Sequence, residues 1–162
     1  MIRNIALVAH DSRKEELIEW CKYNKGVLME HELYATGTTG GLIEKKVFTV
    51  ESEEDPETHV INLTREKEIN KLLSGALGGD AQIGAMIAEG KLDCLIFFCD
   101  NLIVQGHNND VLGLSRLASL YNIPYATNRT TADMIISSPL FSDDEYEPII
   151  PGCIEKYKNR QL

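Results

Sequence analysis

The stretch that decides the fold is Tyr34-Ala35-Thr36-Gly37-Thr38-Thr39-Gly40-Gly41. A short apolar run from Leu33 to Ala35 stops abruptly in threonines and glycines, and an apolar-periodic segment begins at Leu42. This order predicts a strand, a tight turn and the start of a helix. Backbone N–H groups at a helix start bind anions, and threonine hydroxyls can donate to the same oxygens. The stretch therefore predicts a phosphate-binding turn, although on local pattern alone an ordinary turn without a ligand stays open.

Further apolar runs end in polar residues in the same way, at Ile5–Ala9, at 93–100 and at 124–128. Because these strands alternate with helical patterns, we expect a three-layer α/β/α fold around a doubly wound, mainly parallel sheet of about five strands. Ligands of such sheets bind at the carboxyl ends of the strands. One crevice can therefore collect the polar clusters that begin at His10, Thr36, Asp100 and Asn128.

The composition favours one globular domain, spanning residues 1–162, since the chain is too short for two ordinary domains. The net charge of −9 argues against a nucleic-acid or anionic-membrane surface, so local donors must hold any anionic ligand. The sequence shows neither a membrane-span pattern nor a signal-peptide pattern. The four cysteines lack CxxC pairing. We expect a cytoplasmic protein with reduced thiols and no metal site.

The segment after the threonine-glycine turn has a different composition. Val47–Val50 and Thr58–Leu63 are β-prone, and an acidic run occupies 51–57 between them. This pattern predicts an inserted β-hairpin around 46–64 with a solvated acidic tip. A helix is expected from about Arg65, with apolar residues at Ile69, Leu72 and Leu73.

A second informative loop runs from Leu73 to Asp80. Ser74 and Gly75 offer a further hydroxyl and a close backbone approach, and Asp80 stands at the expected N-cap of a helix. A purely capping role for Asp80 stays open on local sequence. In the same way, Asp11 or Ser12 can cap the helix after the first strand, which we expect to stop at Gly26.

Taken together, the motifs resemble one family, the methylglyoxal synthases. The matching set runs nearly end to end and comprises Ala9-His10-Asp11, the turn at 34–40, Ser74-Gly75, Gly78-Gly79-Asp80, Phe97–Asp100, and His107 with Asp110. The resemblance implies a flavodoxin-like three-layer fold and the conversion of dihydroxyacetone phosphate to methylglyoxal and inorganic phosphate without a cofactor. It also implies a homo-hexamer. Phosphate, as the product that presents the leaving group's oxygens, is expected to inhibit.

The resemblance also assigns roles by position. It makes Asp80 the proton-transferring carboxylate, and His107 is suited to donate, as a neutral imidazole, to the substrate carbonyl oxygen. Asp11, Asp100 and Asp110 match further acidic positions, which are expected to have raised pKa values near a dianion and to shuttle protons. The implied substrate-binding positions are His10, Lys14, Thr36, Gly37, Thr38, Thr39, Ser74, Gly75 and His107.

The chain departs from the family pattern in two places. Prolines that are usual in the family are replaced by Ala76, Asn101 and Gly106, and Asn108-Asn109 stands for an acidic residue followed by proline. Most of these changes loosen the loop that presents His107. The segment Lys45–Glu68 is longer than usual, which costs little loop entropy if it lies at the surface.

Two other functions stay open. Domains of this fold also serve as allosteric modules that bind phosphates or nucleotides, and such a module needs the phosphate-binding turn but not Asp80, Asp100 and His107. A sugar-phosphate isomerase would also need a base and an electrophile. The presence of both sets in one chain favours the enzyme.

Overall fold

The computed structural model describes residues 1–51, 61–102 and 108–160, and of residues 108–110 only the backbone. Its strands are β1 (Asn4–Ala9), β2 (Glu32–Thr36), β3 (Thr49–Glu51), β4 (Leu63–Arg65), β5 (Asn70–Leu72), β6 (Cys94–Phe98) and β7 (Tyr125–Ala126). Its helices are α1 (Lys14–Tyr23), α2 (Lys25–Met29), α3 (Gly37–Val47), α4 (Gly79–Ala88), α5 (Asn108–Leu120), α6 (Arg129–Ile136), α7 (Pro139–Ser142) and α8 (Gly152–Lys158). Single 3₁₀ turns cover Asp11–Arg13 and Gly75–Leu77.

The main sheet has the order β5-β2-β1-β6-β7, and every pairing is parallel. The predicted five-stranded parallel sheet is confirmed. Numbered within the sheet, the strand order is 3-2-1-4-5, which differs from the 2-1-3-4-5 order of flavodoxin-like sheets. The difference arises because the chain moves outward from β2 to β5 and only then crosses to β6 on the far side of β1. The connections therefore diverge between β1 and β6, where such sheets bind ligands.

Helices cover both faces of the sheet, as the three-layer prediction requires. Ile5 and Leu7 of β1 pack on one face with side chains of α1, α3 and α6. Ala6 and Val8 pack on the other face with side chains of α4 and α5. A strand buried on both faces needs an unbroken apolar run, and this is the pattern that β1 shows in the sequence.

Three helix boundaries differ from the sequence-based expectations. The predicted tight turn is wrong, because α3 begins at Gly37 and its first turns contain the threonines and glycines themselves. Neither Asp11 nor Ser12 caps α1: the N-cap is Arg13, without a side-chain hydrogen bond. Gly26 does not stop the first helix but lies inside α2.

The predicted hairpin is confirmed by the antiparallel pair β3 and β4, in which Val50 lies opposite Thr64. Most of its acidic tip, residues 52–57, lies outside the described residues. The helix expected from Arg65 is wrong, since Arg65 ends β4 and Asn70–Leu72 forms the edge strand β5 beside β2. A strand of three residues is too short to show the period-2 pattern of a strand in its sequence.

A buried carboxylate, Glu44 of α3, holds β5 in place. The Ile69 N–H donates to Glu44 Oε1 at 2.8 Å, and Lys71 Nζ lies 2.5 Å from Oε2. Burial raises the pKa of Glu44, but the bonds from Lys71 and Ile69 lower it further, so the net pKa is below its ordinary value. Sequence reasoning missed Glu44, because the partners of its carboxylate lie 21 or more residues away in the chain.

We expect Glu44→Gln to lower the free energy of unfolding by about 1–3 kcal/mol at pH 7, because the ion pair with Lys71 is lost. The folded-state pKa is depressed, so the charge stabilises the fold above the ordinary value of 4.5 and this contribution disappears as pH falls through the folded pKa. Urea titrations at neutral and acidic pH measure the difference. Glu15→Gln, which removes an exposed ion pair with Lys46, is the control and should cost less than about 1 kcal/mol. A Glu44→Gln penalty that stays constant at acidic pH contradicts this role.

A deletion of the hairpin must keep Phe48 and begin after it, because the Phe48 side chain is fully buried in the core. Because Thr49 pairs with Arg65, a short Gly/Ser linker can join these two residues. Replacing residues 50–64 should leave the proposed catalysis within a few-fold, since none of the described hairpin residues lines the site cavity described below. The matched variant that also replaces Phe48 should lose a few kcal/mol of stability. A large loss of activity in a folded 50–64 variant would mean that the hairpin contributes to the site.

The chain from Pro139 onward contains α7 and α8. Arg3, buried beneath it, donates from its guanidinium to the carbonyls of Leu140, Phe141 and Asp143.

In the parts of the chain that are described, no helix is long and apolar enough to span a membrane. All four cysteines are free thiols, of which only Cys153 is exposed.

Candidate active site

A cavity of about 250 Å³ lies at the carboxyl ends of β1 and β2 and collects polar side chains from four parts of the chain. Its apolar floor comes from β1, β6, α4 and α5 and comprises Val8, Phe97, Ile83, Val111 and Leu114. The predicted site residues that line it are His10, Asp11, Lys14, Thr36, Thr38, Thr39, Ser74, Gly75 and Asp80. The crevice expected from the strand ends therefore exists for the clusters at His10 and Thr36, but Asp100 and Asn128 do not line it, and Asn128 instead caps α6.

The remaining predicted site residues stand apart from this lining. Gly37 lies behind it, with its Cα so close to the loop at Ser74 that a Cβ would come within 3.1 Å of Ser74 atoms. Asp100 does not line the cavity, but its backbone contacts His10. His107 lies outside the described residues, and so does the side chain of Asp110.

Lys14 brings a positive charge to the start of α3. Its Nζ lies 3.0 Å from Thr38 Oγ1 and 2.6 Å from Asp11 Oδ1. The hydrogen bond from Lys14 and its charge lower the pKa of Asp11, whose side chain is 93% exposed. Beside Lys14 the pKa of Asp11 therefore lies below its ordinary value, whereas the raised pKa expected beside a dianion stays a prediction.

The first turn of α3 presents donors beside that lysine. The first N–H groups of a helix have no partner within the helix. The N-cap residue, Thr36, makes no side-chain capping bond, so its hydroxyl is not used by the helix. Thr36 and Thr39 are both buried. We call the donors of Lys14, Thr36, Thr38, Thr39 and the first turn of α3 the anion cradle.

Asp80 faces the cavity from the first turn of α4. The N-cap of α4 is Gly78 and makes no side-chain bond, so the purely capping role for Asp80 is wrong. Ile83, one turn further along the helix, is fully buried beneath the site. The Leu73 N–H donates to Gln82 Oε1 at 2.8 Å, which ties the loop at Ser74 to the same helix. The carboxylate therefore sits on a rigid element between an apolar floor and the cradle.

His10 is oriented by the neighbouring strand. The backbone N–H of His10 donates to the Phe98 carbonyl at 3.1 Å. The backbone N–H of Asp100 donates to the ring nitrogen Nδ1 of His10 at 2.8 Å. The ring meets the Phe97 ring edge-on, with centroids 5.1 Å apart. These contacts lie between β1 and β6, where the connections of the sheet diverge.

The arrangement combines a carboxylate, an anion cradle and an oriented imidazole in one small cavity. A carboxylate can remove a proton from a carbon beside a carbonyl, and fixed donors can stabilise the charge that develops. In the described parts of the chain, no group of three or more His, Cys, Asp or Glu residues is placed to hold a metal ion. The residues that are present suit acid–base chemistry on a small phosphorylated ketone.

Comparison with known proteins agrees with this class of site. The profile of the family described as "MGS-like domain" matches residues 16–127. Among curated proteins, the chain is 50% identical over 157 residues to a methylglyoxal synthase of Leptospira interrogans, covering 97% of this chain and 93% of the relative. It is 49% identical over 143 residues to that of Maridesulfovibrio salexigens, covering 88% of each.

A solved structure leads to the same family. The crystal structure of methylglyoxal synthase from Elizabethkingia anophelis NUHP1 matches with a TM-score of 0.80 and 39% identity, over 99% of this chain and 93% of that one. The chain therefore belongs to the methylglyoxal synthase family.

Sequence reasoning missed residues whose contribution depends on distant contacts. Ile83 carried a usable signal, since it follows Asp80 by three residues on one helical face. Phe97 belongs to the Phe97–Asp100 motif, but its place in the cavity lining was not predicted. Ser12 was considered only as a cap, yet its hydroxyl reaches the Asp100 carboxylate from 88 residues away in sequence.

Proposed function

We propose that the chain is a carbon–oxygen lyase that converts dihydroxyacetone phosphate to methylglyoxal and inorganic phosphate. The observation that carries this proposal is that Asp80 and the anion cradle line the same cavity of about 250 Å³. Membership of the methylglyoxal synthase family supports the same reaction. The proposal needs no cofactor, because a carboxylate, hydrogen-bond donors and a lysine suffice for every step.

The substrate phosphate is proposed to bind in the anion cradle. Lys14 supplies charge, and the helix start and the threonine hydroxyls supply fixed donors. Ser74 and Gly75 close the cavity from the opposite loop. This placement leaves the three-carbon chain between the cradle and Asp80, over the apolar floor.

Asp80 is proposed to remove a proton from the hydroxyl-bearing carbon beside the carbonyl. The electron pair of that C–H bond forms the carbon–carbon double bond of an enediolate, and negative charge develops on the carbonyl oxygen. Imidazole N–H groups stabilise such an oxyanion. We propose His107 for this role, and His10 as a further substrate-binding side chain.

Phosphate then leaves. The enediolate electrons expel it as the C–O bond to the phosphate breaks. The donors of the anion cradle stabilise the negative charge that grows on the leaving oxygen. The released enol becomes methylglyoxal by taking one proton on the carbon that carried the phosphate. Asp100 and Asp110 are proposed to assist proton transfer, while the ionised Asp11 holds Lys14.

The proposal is tested by incubating the purified protein with dihydroxyacetone phosphate. Three products are then assayed together: methylglyoxal, phosphate and glyceraldehyde 3-phosphate. Equal amounts of methylglyoxal and phosphate are expected. Formation of glyceraldehyde 3-phosphate would indicate an isomerase instead. Binding without any product would favour an allosteric phosphate-binding module.

The single domain, the cytoplasmic location and the homo-hexamer belong to the same proposal: the length and the cysteine pattern of the sequence support the first two, and the family resemblance supports the third. Sedimentation of the purified protein tests the assembly. A hexameric mass is expected, and a stable monomer with full activity would contradict it.

Lys14→Met should weaken both a non-reactive substrate analogue and inorganic phosphate by about 1.5–3 kcal/mol, because both ligands lose one charge-assisted hydrogen bond. Thr38→Val should cost less, roughly 0.5–1.5 kcal/mol, since a single neutral donor is lost. Titration calorimetry measures both dissociation constants. If Lys14→Met weakens the analogue but leaves phosphate affinity unchanged, the two ligands do not share one cradle.

A further inference from the structure

The His10 ring is fixed at one nitrogen and leaves the other for the cavity. Because the Asp100 N–H donates to Nδ1 at 2.8 Å, Nδ1 carries a lone pair and the ring proton lies on Nε2. Nε2 is buried, and within residues 1–51, 61–102 and 111–160 nothing accepts a hydrogen bond from it. His10 lines the cavity, where a donor at Nε2 suits a carbonyl or phosphate oxygen.

The peptide that holds His10 is itself held through the Asp100 side chain. Ser12 Oγ donates to Asp100 Oδ2 at 2.5 Å, and the Leu102 N–H donates to Asp100 Oδ1 at 2.9 Å. One bond comes from the 3₁₀ turn after β1, and the other comes from the residues after β6. Both bonds hold the Asp100 side chain, and the second also holds the backbone that follows the N–H on His10.

Ser12 belongs to neither the cradle nor the cavity lining. It lies between His10 and Lys14 in the turn that leads from β1 to α1. Its hydroxyl therefore ties the end of one strand to the end of the neighbouring strand at the place where the sheet connections diverge. This hydrogen bond from Ser12 to Asp100 spans 88 residues of sequence and joins the two strand ends that orient His10.

We infer that Ser12 is a positioning residue, which holds the Asp100 carboxylate so that the Asp100 N–H stays on His10 Nδ1 and the His10 proton stays on Nε2. The benefit to catalysis rests on the proposed function, whereas the ring tautomer does not. Without the Ser12 hydroxyl, the Asp100 side chain rotates more freely and its peptide turns away from Nδ1. The ring then samples the other tautomer, whose Nε2 cannot donate to a ligand oxygen.

The test compares Ser12→Ala and Ser12→Thr with the unmodified protein, and uses Ser137→Ala as the control. Ser137 also donates through its hydroxyl to an oxygen acceptor, the Asp133 carbonyl, but lies outside the cavity lining. Long-range proton–nitrogen NMR reports which ring nitrogen of His10 is protonated, and His10→Gln identifies the signals. We expect Ser12→Ala to mix the two tautomers and to lower kcat/KM about two- to tenfold. Ser12→Thr, which retains the hydroxyl, should restore both, and Ser137→Ala should change neither.

An unchanged His10 spectrum in Ser12→Ala overturns the inference, whatever happens to its activity or its melting temperature. Failure of threonine to restore the ring signals also overturns it. If the unmodified protein releases no phosphate from dihydroxyacetone phosphate, the proposed function fails. The ring spectra then still decide whether Ser12 sets the tautomer.

Discussion

Asp80→Asn should lower turnover of dihydroxyacetone phosphate by about 10²–10⁴-fold while leaving the fold intact. Asparagine keeps the shape of the side chain in the first turn of α4 but cannot take a proton. The helix does not depend on the carboxylate, since Gly78 occupies the N-cap and no side-chain bond caps α4. Turnover and thermal melting are measured on the same preparation. The expected pattern is a large kinetic loss with little change in melting temperature.

Glu89→Gln is the matched control, because it removes a carboxylate from the exposed far end of α4, where Glu89 pairs with Lys91. It should leave turnover unchanged. Near-normal turnover in Asp80→Asn contradicts the role of Asp80 as the base. A collapse of melting temperature in Asp80→Asn would instead assign the carboxylate a structural role.

Gly79→Ala should disable the site by displacing the loop at Ser74. A Cβ on Gly79 would lie 2.0 Å from the Leu73 carbonyl oxygen, a backbone atom that can move only with its loop. We expect a loss of roughly 1–3 kcal/mol in stability from the steric overlap. A displacement of about 1 Å at Ser74 and Gly75 should also cost on the order of 10²-fold in kcat/KM.

The control for this variant is Gly113→Ala in the middle of α5, where a Cβ meets nothing within 4 Å. It should stabilise the chain by up to about 1 kcal/mol, as expected for glycine replaced by alanine in a helix. Chemical unfolding and steady-state kinetics measure both variants. If Gly79→Ala keeps the stability and kcat/KM of the unmodified protein, the close approach of α4 to the loop at Ser74 is not needed for activity.

Sequence patterns predicted the strands of the sheet well wherever burial on both faces demanded an apolar run. β1 and β6 are such strands, and their polar ends, His10 and Asp100, meet as expected. The edge strand β5 was predicted as helix, because its position depends on the distant carboxylate of Glu44 and not on its own residues. Where pairing is decided by one long-range contact, local periodicity carries no signal.

In the site, too, features set by local sequence could be predicted and features set by long-range contacts could not. The residues of the cradle could be predicted because they follow one another at a strand end and a helix start. Their relation to Lys14 and Asp80 depended on the order of strands in the sheet, which local periodicity does not give. The ion pair between Asp11 and Lys14, which lowers the pKa of Asp11, was not predicted, because the sequence does not show that Lys14 folds back onto the residue three positions before it.

The central claim is that one cavity removes a proton at Asp80 and expels phosphate, and one measurement tests it most directly. Dihydroxyacetone phosphate is incubated with the purified protein in D₂O and followed by phosphorus and proton NMR. We expect inorganic phosphate and methylglyoxal in equal amounts, with one deuterium in the methyl group, and we expect Asp80→Asn to suppress both signals. Release of phosphate at the same rate by Asp80→Asn, or deuterated glyceraldehyde 3-phosphate in place of methylglyoxal, would contradict the claim.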